Sequence, residues 1–562
     1  MKASETSIRN LLEGTKQFQV PLFQRPYSWN KDYWDALWND LMSIYKGEIE
    51  GFYFLGPIVT QAVSGTADGI SAFLIIDGQQ RLTTLSILLA TLRDKLRQDN
   101  NDLAEELHEY YLINKFKNND DFFKILPTKT DRESYRSIIK NNGQDNNSKG
   151  KINDAYEHFT KKLEEKSLKN LSFCEKLKSI ILEKLIIVNI TSDEKDNPYL
   201  IFESLNNKGQ ELTQADLVRN YIFMKLPIDN REEQYNQLWR PLEDKFKTEV
   251  GDKYSEELTN AFWFYLRKDG KSVQQKYVYQ SLKKRFDQNQ NNLLEELQLL
   301  VKFSNYYQRF NFPQKEESNS KFKEYFNNLL RLDFKTSHIF LLNIYNDYEN
   351  GKISEQDFEK ILLYLESYFV RRLFSRVSTQ SLGGIINNLY AEIKKAESSS
   401  IVDGLYKTLN KFDKNKRWPS DKEFKTKLVN QTIYKGTKND RNKFLLERLE
   451  KYQGKEIVDF STLTIEHIMP QKIKDEWKKK LGDDHSSNHT KWLHTLGNLT
   501  LTAYNSELSN KSYSEKLEYL KKSNLYLNHD FREIDKWNFE TIQDRANRLA
   551  DIAIKVWPRQ QC

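Results

Sequence analysis

The stretch "AFLIIDGQQRLTTLSILLATL" (Ala72–Leu92) joins two apolar runs through a short polar turn. The first run ends at Ile76 and has the length and composition of a buried strand. The second run is long enough for a helix, so the pattern predicts a strand that leads directly into a helix. Five polar or flexible residues, Asp77–Arg81, occupy the junction. This arrangement predicts an α/β unit in which the turn is rigidly held between two buried elements.

The residues around this turn complete the predicted α/β unit. "FQVPLFQRPYSW" (Phe18–Trp29) predicts a short strand followed by an extended, proline-marked turn. The next residues have helical spacing, with Asn30 as the expected N-cap. "FYFLGPIVTQAV" predicts a strand interrupted at Gly56-Pro57, and "KLIIVNIT" (Lys184–Thr191) predicts a strand that returns to the same sheet.

The rest of the chain predicts a mostly helical protein with a distinct C-terminal module. Residues 96–455 are largely amphipathic and helical in pattern. "TLTIEHIMPQ" and "LGNLTLTAYN" then predict two short strands followed by helices. Five of the eight histidines lie between His467 and His529, which marks this module as separate. We therefore expect an α+β, predominantly helical fold with three parts, at residues 1–225, 226–420 and 421–562.

Length and composition exclude several classes of protein. A chain of 562 residues is too long for one ordinary hydrophobic core. No apolar run approaches the length of a transmembrane helix, and the first residues lack the apolar segment of a signal peptide. The two cysteines, Cys174 and Cys562, cannot form a disulfide framework or a four-cysteine zinc site. We expect a cytoplasmic protein that does not bind a membrane.

The charge of the chain is unevenly distributed. The net charge is +7, and residues 401–562 hold 31 Lys and Arg against 23 Asp and Glu, a local balance of +8. The first 400 residues are therefore close to neutral. A basic C-terminal part suits a polyanion such as DNA. A solvated basic face is the equally open alternative.

The turn at Asp77–Arg81 has the residue types that bind phosphate. A helix N-terminus presents unpaired N–H groups and a positive dipole end, and Gly78 lets the backbone approach a ligand. Arg81 can clamp phosphate oxygens, and Asp77 can hold a metal ion or orient water. Gln79 and Gln80 can bond to a base, a sugar or a phosphate. The alternative is a capped turn in which Asp77 is the helix N-cap. The chain has no Walker A motif.

The C-terminal strand pattern points to phosphodiester hydrolysis. This reaction needs a base to activate water and a metal ion to neutralise the developing charge. "TIEHIMPQ" places Glu466 and His467 at the end of an apolar strand, and "LGNLTLTAYNSELSNKSYSEKL" follows with further polar ligands. A buried, hydrogen-bonded core histidine is the alternative for His467. The other C-terminal histidines lack regular zinc spacing, and His494 is the best placed of them.

Four motifs in order resemble a known family. "VPLFQRPYSW", "FLGPIV", "IIDGQQRLTTL" and "IFESLNNKGQELTQADLVRNYIF" are similar to the N-terminal domain of GmrSD-type modification-dependent restriction enzymes, which is shared with phosphorothioate-sensing SspE proteins. The resemblance covers roughly residues 8–225. It implies a ParB/sulfiredoxin-like fold with helical additions that binds and hydrolyses a nucleotide, GTP or ATP. The implied nucleotide-binding residues are Gln24, Arg25, Asp77, Gly78, Gln79, Gln80, Arg81, Asn206 and Lys208. For Asn206 and Lys208, a purely structural turn stays an open alternative.

The C-terminal stretch resembles HNH (ββα-metal) nucleases. This resemblance implies that His467 is the general base and that Glu466 and Asn505 are ligands of a divalent metal, Mg²⁺ or Mn²⁺. Asn498 would orient His467 or brace the loop, and Lys511 would contact the scissile phosphate. The chain has Glu where the commonest pattern has Asp before the histidine, and Asn in place of the last histidine. These departures leave direct ligation by Glu466 open.

Together the two resemblances imply a nucleotide-dependent endonuclease that senses modified DNA and cleaves it in defence against phage. The expected partners are double-stranded DNA and NTP, and the choice between a monomer and a homo-oligomer is open. Phe23, Tyr27 and Trp29 are candidates for sensing the modified group, with a place in the core as the alternative. Two other functions stay open: a nucleotide-responsive DNA-binding regulator with a vestigial nuclease centre, and an RNA-cleaving NTPase toxin.

Overall fold

The computed structural model describes residues 2–63, 69–97, 100–140, 150–167, 171–192, 212–289, 292–434, 439–454, 457–481 and 485–559. The chain divides into two compact units, one of Met1–Asp244 with Leu282–Leu297 and one of Lys245–Ser281 with Gln298–Cys562. The fold is α+β and predominantly helical, as predicted. Among the described residues, no helix is both long and apolar enough to cross a membrane. The expected three-part division stays a prediction.

The first unit contains a mixed six-stranded sheet in the order β1-β6-β3-β4-β2-β5. The strands are β1 (Lys2–Ser7), β2 (Lys16–Gln19), β3 (Tyr53–Ala62), β4 (Ser71–Asp77), β5 (Ile125–Leu126) and β6 (Leu185–Ser192). Strand β6 runs parallel to β3 and antiparallel to β1, so the predicted return of this segment to the sheet is confirmed. Strand β1 was not predicted, because its polar residues "KASETS" are mostly exposed at the sheet edge.

Strand β3 corrects one expectation. The chain does not leave the sheet at Gly56-Pro57, and β3 runs through this dipeptide without a break. Its register with β6 shifts between Phe54 and Gly56, which marks a bulge. Gly56 adopts a φ of +117°, a conformation that glycine tolerates at little cost. The dipeptide therefore bends the strand instead of ending it.

Ten α-helices belong to the described residues of the first part of the chain. They are α1 (Ile8–Leu12), α2 (Lys31–Lys46), α3 (Gln79–Leu96), α4 (Asn101–Leu107), α5 (Arg132–Lys140), α6 (Lys151–Ser167), α7 (Leu171–Ser179), α8 (Gln214–Lys225), α9 (Ile228–Gln234) and α10 (Arg240–Val250). Helix α3 is buried along most of its length, so its N-terminal turn is firmly anchored. Asn30 caps α2 as predicted, by accepting a hydrogen bond from the backbone of Asp32.

The remaining helices follow along the chain, and those outside residues 282–297 belong to the second unit. They are α11 (Tyr254–Arg267), α12 (Val278–Gln288), α13 (Leu293–Asn311), α14 (Pro313–Glu316), α15 (Ser320–Arg331), α16 (His338–Glu349), α17 (Glu355–Phe374), α18 (Leu382–Lys395), α19 (Ile401–Lys411), α20 (Asp421–Asn430), α21 (Asn439–Gln453), α22 (Asp475–Leu481), α23 (His485–Trp492), α24 (Asn505–Leu508), α25 (Tyr513–Leu520), α26 (Tyr526–His529) and α27 (Phe539–Val556).

The two short strands predicted in the C-terminal part are present in the second unit, where they form an antiparallel pair. They are β7 (Thr464–His467) and β8 (Leu499–Thr502), and His467 pairs with Leu499. Helix α27 packs very closely on the start of β8, because a Cβ at Gly497 would lie only 1.9 Å from the Ile542 carbonyl oxygen. Arg545 on the same helix donates to the carbonyl oxygens of Gly497 at 2.8 Å and Leu499 at 2.7 Å. These contacts fix the strand pair that presents His467.

Candidate functional site

The turn between β4 and α3 depends on its glycine. Gly78 is the N-cap of α3 and has a φ of +94°. A Cβ at this position would lie 2.9 Å from Ile58 Cγ1, so both conformation and space favour glycine. Because Gly78 is the cap and no side chain caps the helix, the alternative with Asp77 as N-cap is wrong. The carboxylate of Asp77 instead pairs with Arg81.

The two adjacent glutamines fasten a neighbouring loop to this turn. Gln80 is buried, accepts a hydrogen bond from the backbone N–H of Ser28 at 2.8 Å and donates to the carbonyl of Pro26 at 3.2 Å. Gln79 donates to the carbonyl of Arg25 at 3.1 Å. Each amide supplies both a donor and an acceptor, which is why glutamine suits a backbone that runs beside it. In this structure both side chains bind the protein's own chain.

The same loop has two further attachments. Buried Gln24 donates to the carbonyl oxygens of Ile75 at 2.8 Å and Ile76 at 2.9 Å in β4. The backbone N–H of Tyr27 donates to Asp131 at 2.8 Å. Burial raises the pKa of the Asp131 carboxyl, although the N–H of Tyr27 opposes this shift. The loop at residues 24–29 is therefore held on both sides.

Asp77 and Arg81 form the charged part of the turn. Arg81 Nη2 lies 3.2 Å from Asp77 Oδ2, and the two side chains keep 17% and 23% of their surface exposed. The guanidinium also lies over the bulge of β3, where a Cβ at Gly56 would be 2.1 Å from Nη1. Burial raises the pKa of Asp77, and the charges of Arg81 and half-buried Arg25 oppose this shift. Burial also lowers the pKa of Arg81. These charged groups can meet an anion at the helix N-terminus.

The three aromatic candidates for sensing differ in their surroundings. Phe23 is buried and stacks on Phe223, with ring centroids 6.1 Å apart. Tyr27 is also buried, and its hydroxyl lies 2.6 Å from that of Thr84. Trp29 is half-buried. The structure thus places Phe23 and Tyr27 in the core and leaves part of Trp29 accessible, and the sensing role stays a prediction.

Only the last part of the fourth N-terminal motif, from residue 212 onward, lies within the described residues. Asn206 and Lys208 fall outside the described residues. The end of the motif is described: Thr213 is the N-cap of α8 and forms a reciprocal capping box with Asp216. This capping box begins α8, and the roles of Asn206 and Lys208 stay predictions.

His467 lies at the end of β7 in a cluster of rings. It is buried, and its Nε2 is 3.0 Å from Nδ1 of His494. The ring of Tyr434 stacks on His494 at 5.5 Å and meets His467 edge-on at 4.8 Å. Burial, together with the neighbouring charges, lowers the pKa of His467 to about 3. Above that pH the imidazole is neutral, which is the protonation state that a general base requires.

Glu466 is engaged by a lysine. The ammonium of Lys516 on α25 pairs with Glu466 Oε1, and the two side chains are 0% and 5% exposed. Lys516 also donates to the carbonyl oxygen of His467 at 2.7 Å. Burial raises the pKa of Glu466 and lowers that of Lys516, while their attraction opposes both shifts. A carboxylate paired in this way does not fit the role of a metal ligand.

Asn505 fits an oxygen ligand better. Its Nδ2 donates to Thr464 Oγ1 at 3.1 Å and to the carbonyl of Ile465 at 3.3 Å, so its amide nitrogen faces β7. The amide oxygen, a donor type that Mg²⁺ and Mn²⁺ accept, is not used in these bonds. Among the described residues, no cluster of three or more His, Cys, Asp or Glu side chains is placed to hold a metal ion.

Asn498 braces the loop that follows His467. It is fully buried, and its Oδ1 accepts from the backbone of Met469 at 2.7 Å. Its Nδ2 donates to the carbonyl of Leu493 at 2.9 Å, and its Oδ1 also accepts from the indole of Trp537 at 3.1 Å. Of its two predicted roles, the structure shows these bracing contacts.

Lys511 lies on the chain between α24 and α25. Its ammonium is 4.8 Å from the centroid of the Tyr519 ring and 3.5 Å from the hydroxyl. Its side chain is half-buried, and its carbonyl accepts from the indole of Trp477 at 3.1 Å. The contact with a scissile phosphate stays a prediction.

Sequence reasoning missed Lys516, Tyr434 and Gln471. Gln471 Nε2 lies 3.5 Å from His467 Nδ1. A lysine in a helix is ordinarily exposed, and Tyr434 meets the site only through the tertiary fold, so neither had a local signal. His494 had one, since it lies close to Gly497-Asn498 in the sequence.

Comparison with known families matches both ends of the chain. The family described as the GmrSD restriction endonuclease, N-terminal domain, matches residues 8–223. The family described as GmrSD restriction endonucleases, C-terminal domain, matches residues 418–552. No curated protein matches the chain. The first match contains the turn at Asp77–Arg81, and the second contains the strand pair with His467.

Proposed function

The chain belongs to the GmrSD family of type IV restriction endonucleases, and from that premise we propose that it is a nucleotide-dependent DNA endonuclease that senses modified DNA and cleaves it in defence against phage. The observation that supports the proposal most strongly is the position of His467 at the end of a short strand, with its imidazole Nε2 held 3.0 Å from Nδ1 of His494. We place the enzyme in the cytoplasm, with double-stranded DNA and NTP as its partners.

His494 selects the tautomer of His467 in this proposal. A proton on His467 Nε2 is donated to His494 Nδ1, across the observed 3.0 Å. His467 Nδ1 is then an acceptor, which agrees with the amide nitrogen of Gln471 at 3.5 Å from it. Nδ1 takes a proton from water as that water attacks the phosphorus of the scissile phosphodiester. The bond from phosphorus to the leaving oxygen breaks, the leaving oxygen takes up a proton from solvent, and the strand is cut at that phosphodiester.

Mg²⁺ or Mn²⁺ is the proposed cofactor of this reaction. When bound, such an ion neutralises charge on the phosphate and on the leaving oxygen. The amide oxygen of Asn505 is the protein ligand that fits best, while Glu466 is paired with Lys516. Lys511 supplies a cation for the scissile phosphate. Asn498 keeps the loop after His467 in place through buried hydrogen bonds.

The fold around His467 supports the HNH assignment. Strands β7 and β8 are antiparallel, and the short helix α24 begins at Asn505 soon after β8 ends. Two strands and a helix in this order, with the base at the end of the first strand, are the arrangement expected of a ββα-metal nuclease. We likewise propose a ParB/sulfiredoxin-like assignment for the mixed sheet of the first unit, to which helices are added.

The nucleotide binds at the N-terminus of α3 in this proposal. Phosphate oxygens accept hydrogen bonds from the first turn of the helix, and Arg81 adds a charged clamp. Asp77 is held 3.2 Å from Arg81 and is placed to orient water or a metal ion. Gln24, Gln79 and Gln80 support the site by holding the loop at residues 24–29.

A panel of DNA substrates tests the function. Plasmid DNA that is unmodified, glucosylated at hydroxymethylcytosine or phosphorothioated, and an RNA transcript of matched length, are each incubated with the full chain and Mg²⁺, with and without GTP or ATP. Both binding and cleavage are measured. We expect cleavage of at least one modified DNA and a change in its rate when nucleotide is added. Binding without cleavage of any DNA would favour a regulator with a vestigial centre, and cleavage confined to RNA would favour a toxin. Either result would contradict the proposal.

A further inference from the structure

A buried lysine, Lys516, pairs with Glu466, the residue that the HNH resemblance implies to be a metal ligand. We propose that Lys516 replaces the divalent cation at Glu466, so that the chain's own ammonium holds this carboxylate and the catalytic ion is bound without it. This inference rests on the proposed nuclease function. It makes Lys516 a positioning residue, since its other partner is the backbone carbonyl of His467.

The geometry of Lys516 is that of an internal counter-ion. Its ammonium contacts Glu466 Oε1 and donates to the His467 carbonyl at 2.7 Å, so one group joins two successive residues of β7. The Lys516 side chain is fully buried, and that of Glu466 is 5% exposed. Helix α25 is fixed at its start by a capping box between Ser512 and Glu515, which orients Lys516 towards the strand.

Electrostatics disfavour a second cation at the same carboxylate. An ion coordinated to Glu466 would lie close to the Lys516 ammonium in a site with little water to screen the repulsion. Removing the lysine's proton to relieve this repulsion would forfeit its ion pair with Glu466. The departure from the commonest HNH pattern, Glu instead of Asp before the histidine, is therefore matched by a different partner. The side chain of Glu466, one methylene longer than that of aspartate, contacts the ammonium of Lys516.

The inference is tested by measuring Mn²⁺ binding to the full chain by titration calorimetry. Glu466→Gln keeps an acceptor for Lys516, and we expect the Kd for Mn²⁺ to stay within about 2-fold of the wild-type value. Asn505→Ala is the matched variant, and we expect it to raise this Kd by about 10-fold or more. A 10-fold increase in Glu466→Gln would overturn the proposal.

A second variant tests the exchange of cations directly. Lys516→Met frees the Glu466 carboxylate, so Mn²⁺ should bind more tightly than in the wild-type chain. The gain should disappear in the double variant Glu466→Gln, Lys516→Met. Weaker Mn²⁺ binding in Lys516→Met would overturn the inference. If this variant does not fold, Glu466→Gln alone decides. Because metal binding is read without cleavage, a failure here is distinct from a failure of the nuclease function, which His467→Ala tests.

Discussion

The turn at Asp77–Arg81 and the strand pair β7–β8 use their motif residues in different ways. In the turn, the side-chain amides of Gln79 and Gln80 form hydrogen bonds with the backbone of a neighbouring loop. The Asp77–Arg81 ion pair keeps part of its surface accessible. In the strand pair, the titratable groups are buried and contact one another. A motif of polar residues therefore contains both residues that hold the structure together and residues that can react. Only their contacts in the fold show which residue has which role.

The comparison implies different consequences of substitution. A scaffold residue should change the free energy of unfolding first and activity second, because it holds other groups in place. A reactive residue should change activity with little loss of stability. The following predictions use this distinction, beginning with the largest effect.

The largest effect is expected at His467. Replacement by alanine removes the general base, and such a loss typically lowers a rate by about 10²–10⁴-fold. Cleavage of a susceptible plasmid under single-turnover conditions measures it. His529→Ala is the control in the same region, since that ring packs on Tyr526 at 4.7 Å, and it should keep its rate within about 2-fold. A wild-type rate in His467→Ala would remove this residue from the mechanism.

The adjacent residues Gln80 and Arg81 should differ in role, one holding the structure and the other acting in NTP hydrolysis. Arg81→Ala should abolish NTP hydrolysis in a protein that still folds, because the charged clamp on the phosphate is lost while the loop contacts of Gln79 and Gln80 remain. Gln80→Ala should instead lower the free energy of unfolding by about 1–3 kcal/mol, since a buried backbone N–H loses its acceptor. Melting curves and phosphate release measure both. The comparison fails if Arg81→Ala melts much lower yet hydrolyses NTP normally.

Asp77→Ala gives the same separation at the first residue of the turn. We expect NTP hydrolysis to be lost in a variant that still folds, and any fall in Tm to come from the lost pair with Arg81, because the carboxylate does not cap α3. A side-chain cap would have cost about 0.5–2 kcal/mol on removal. A large drop in Tm with a normal rate of NTP hydrolysis would show that Asp77 has a structural role only.

Asn505 should affect metal dependence more than the maximal rate. Loss of one oxygen ligand is expected to raise the Mg²⁺ concentration for half-maximal cleavage by about 10-fold, and excess Mg²⁺ should partly restore activity. The readout is a metal titration of plasmid cleavage. An unchanged titration would place Asn505 outside the metal site.

The smallest effect concerns acid stability. Burial lowers the pKa of His338 to about 3, far below the value of an unfolded histidine. The unfolded chain then binds the extra proton as pH falls below about 6.5, so the contribution is fully present above that pH and is lost as pH falls towards 3. At pH 5 the loss is about 2 kcal/mol for one histidine. His338→Phe, within its aromatic cluster, should flatten the dependence of unfolding free energy on pH. An equally steep dependence would contradict it.

Much of the fold followed from sequence patterns. Buried strands such as β4 and β6, and the helix start at Asn30, had local signals that the structure confirms. Strand β1 had no apolar alternation, because it lies at an edge and is largely exposed. Gly56-Pro57 resembled a break because glycine and proline are typical both of strand ends and of bulges, and here they lie at a bulge.

The candidate site was predictable in its motifs and not in its contacts. His467, Asn498 and Asn505 occur in a recognisable order, so a local pattern found them. The pairing of Glu466 with Lys516 needs α25 to pack against β7, and the stacking of Tyr434 needs a distant segment. These contacts depend on how distant segments pack in the fold, and the spacing of residues in the sequence does not predict that packing.

The most direct test of the two-site account is the NTP hydrolysis rate of His467→Ala, measured on the preparation that has lost DNA cleavage. The nuclease and nucleotide constellations belong to separate matched regions, residues 418–552 and 8–223. The account therefore predicts an NTP hydrolysis rate within about 2-fold of the wild-type value. A parallel loss of hydrolysis and cleavage, in a variant that melts normally, would contradict the separation of the two chemistries.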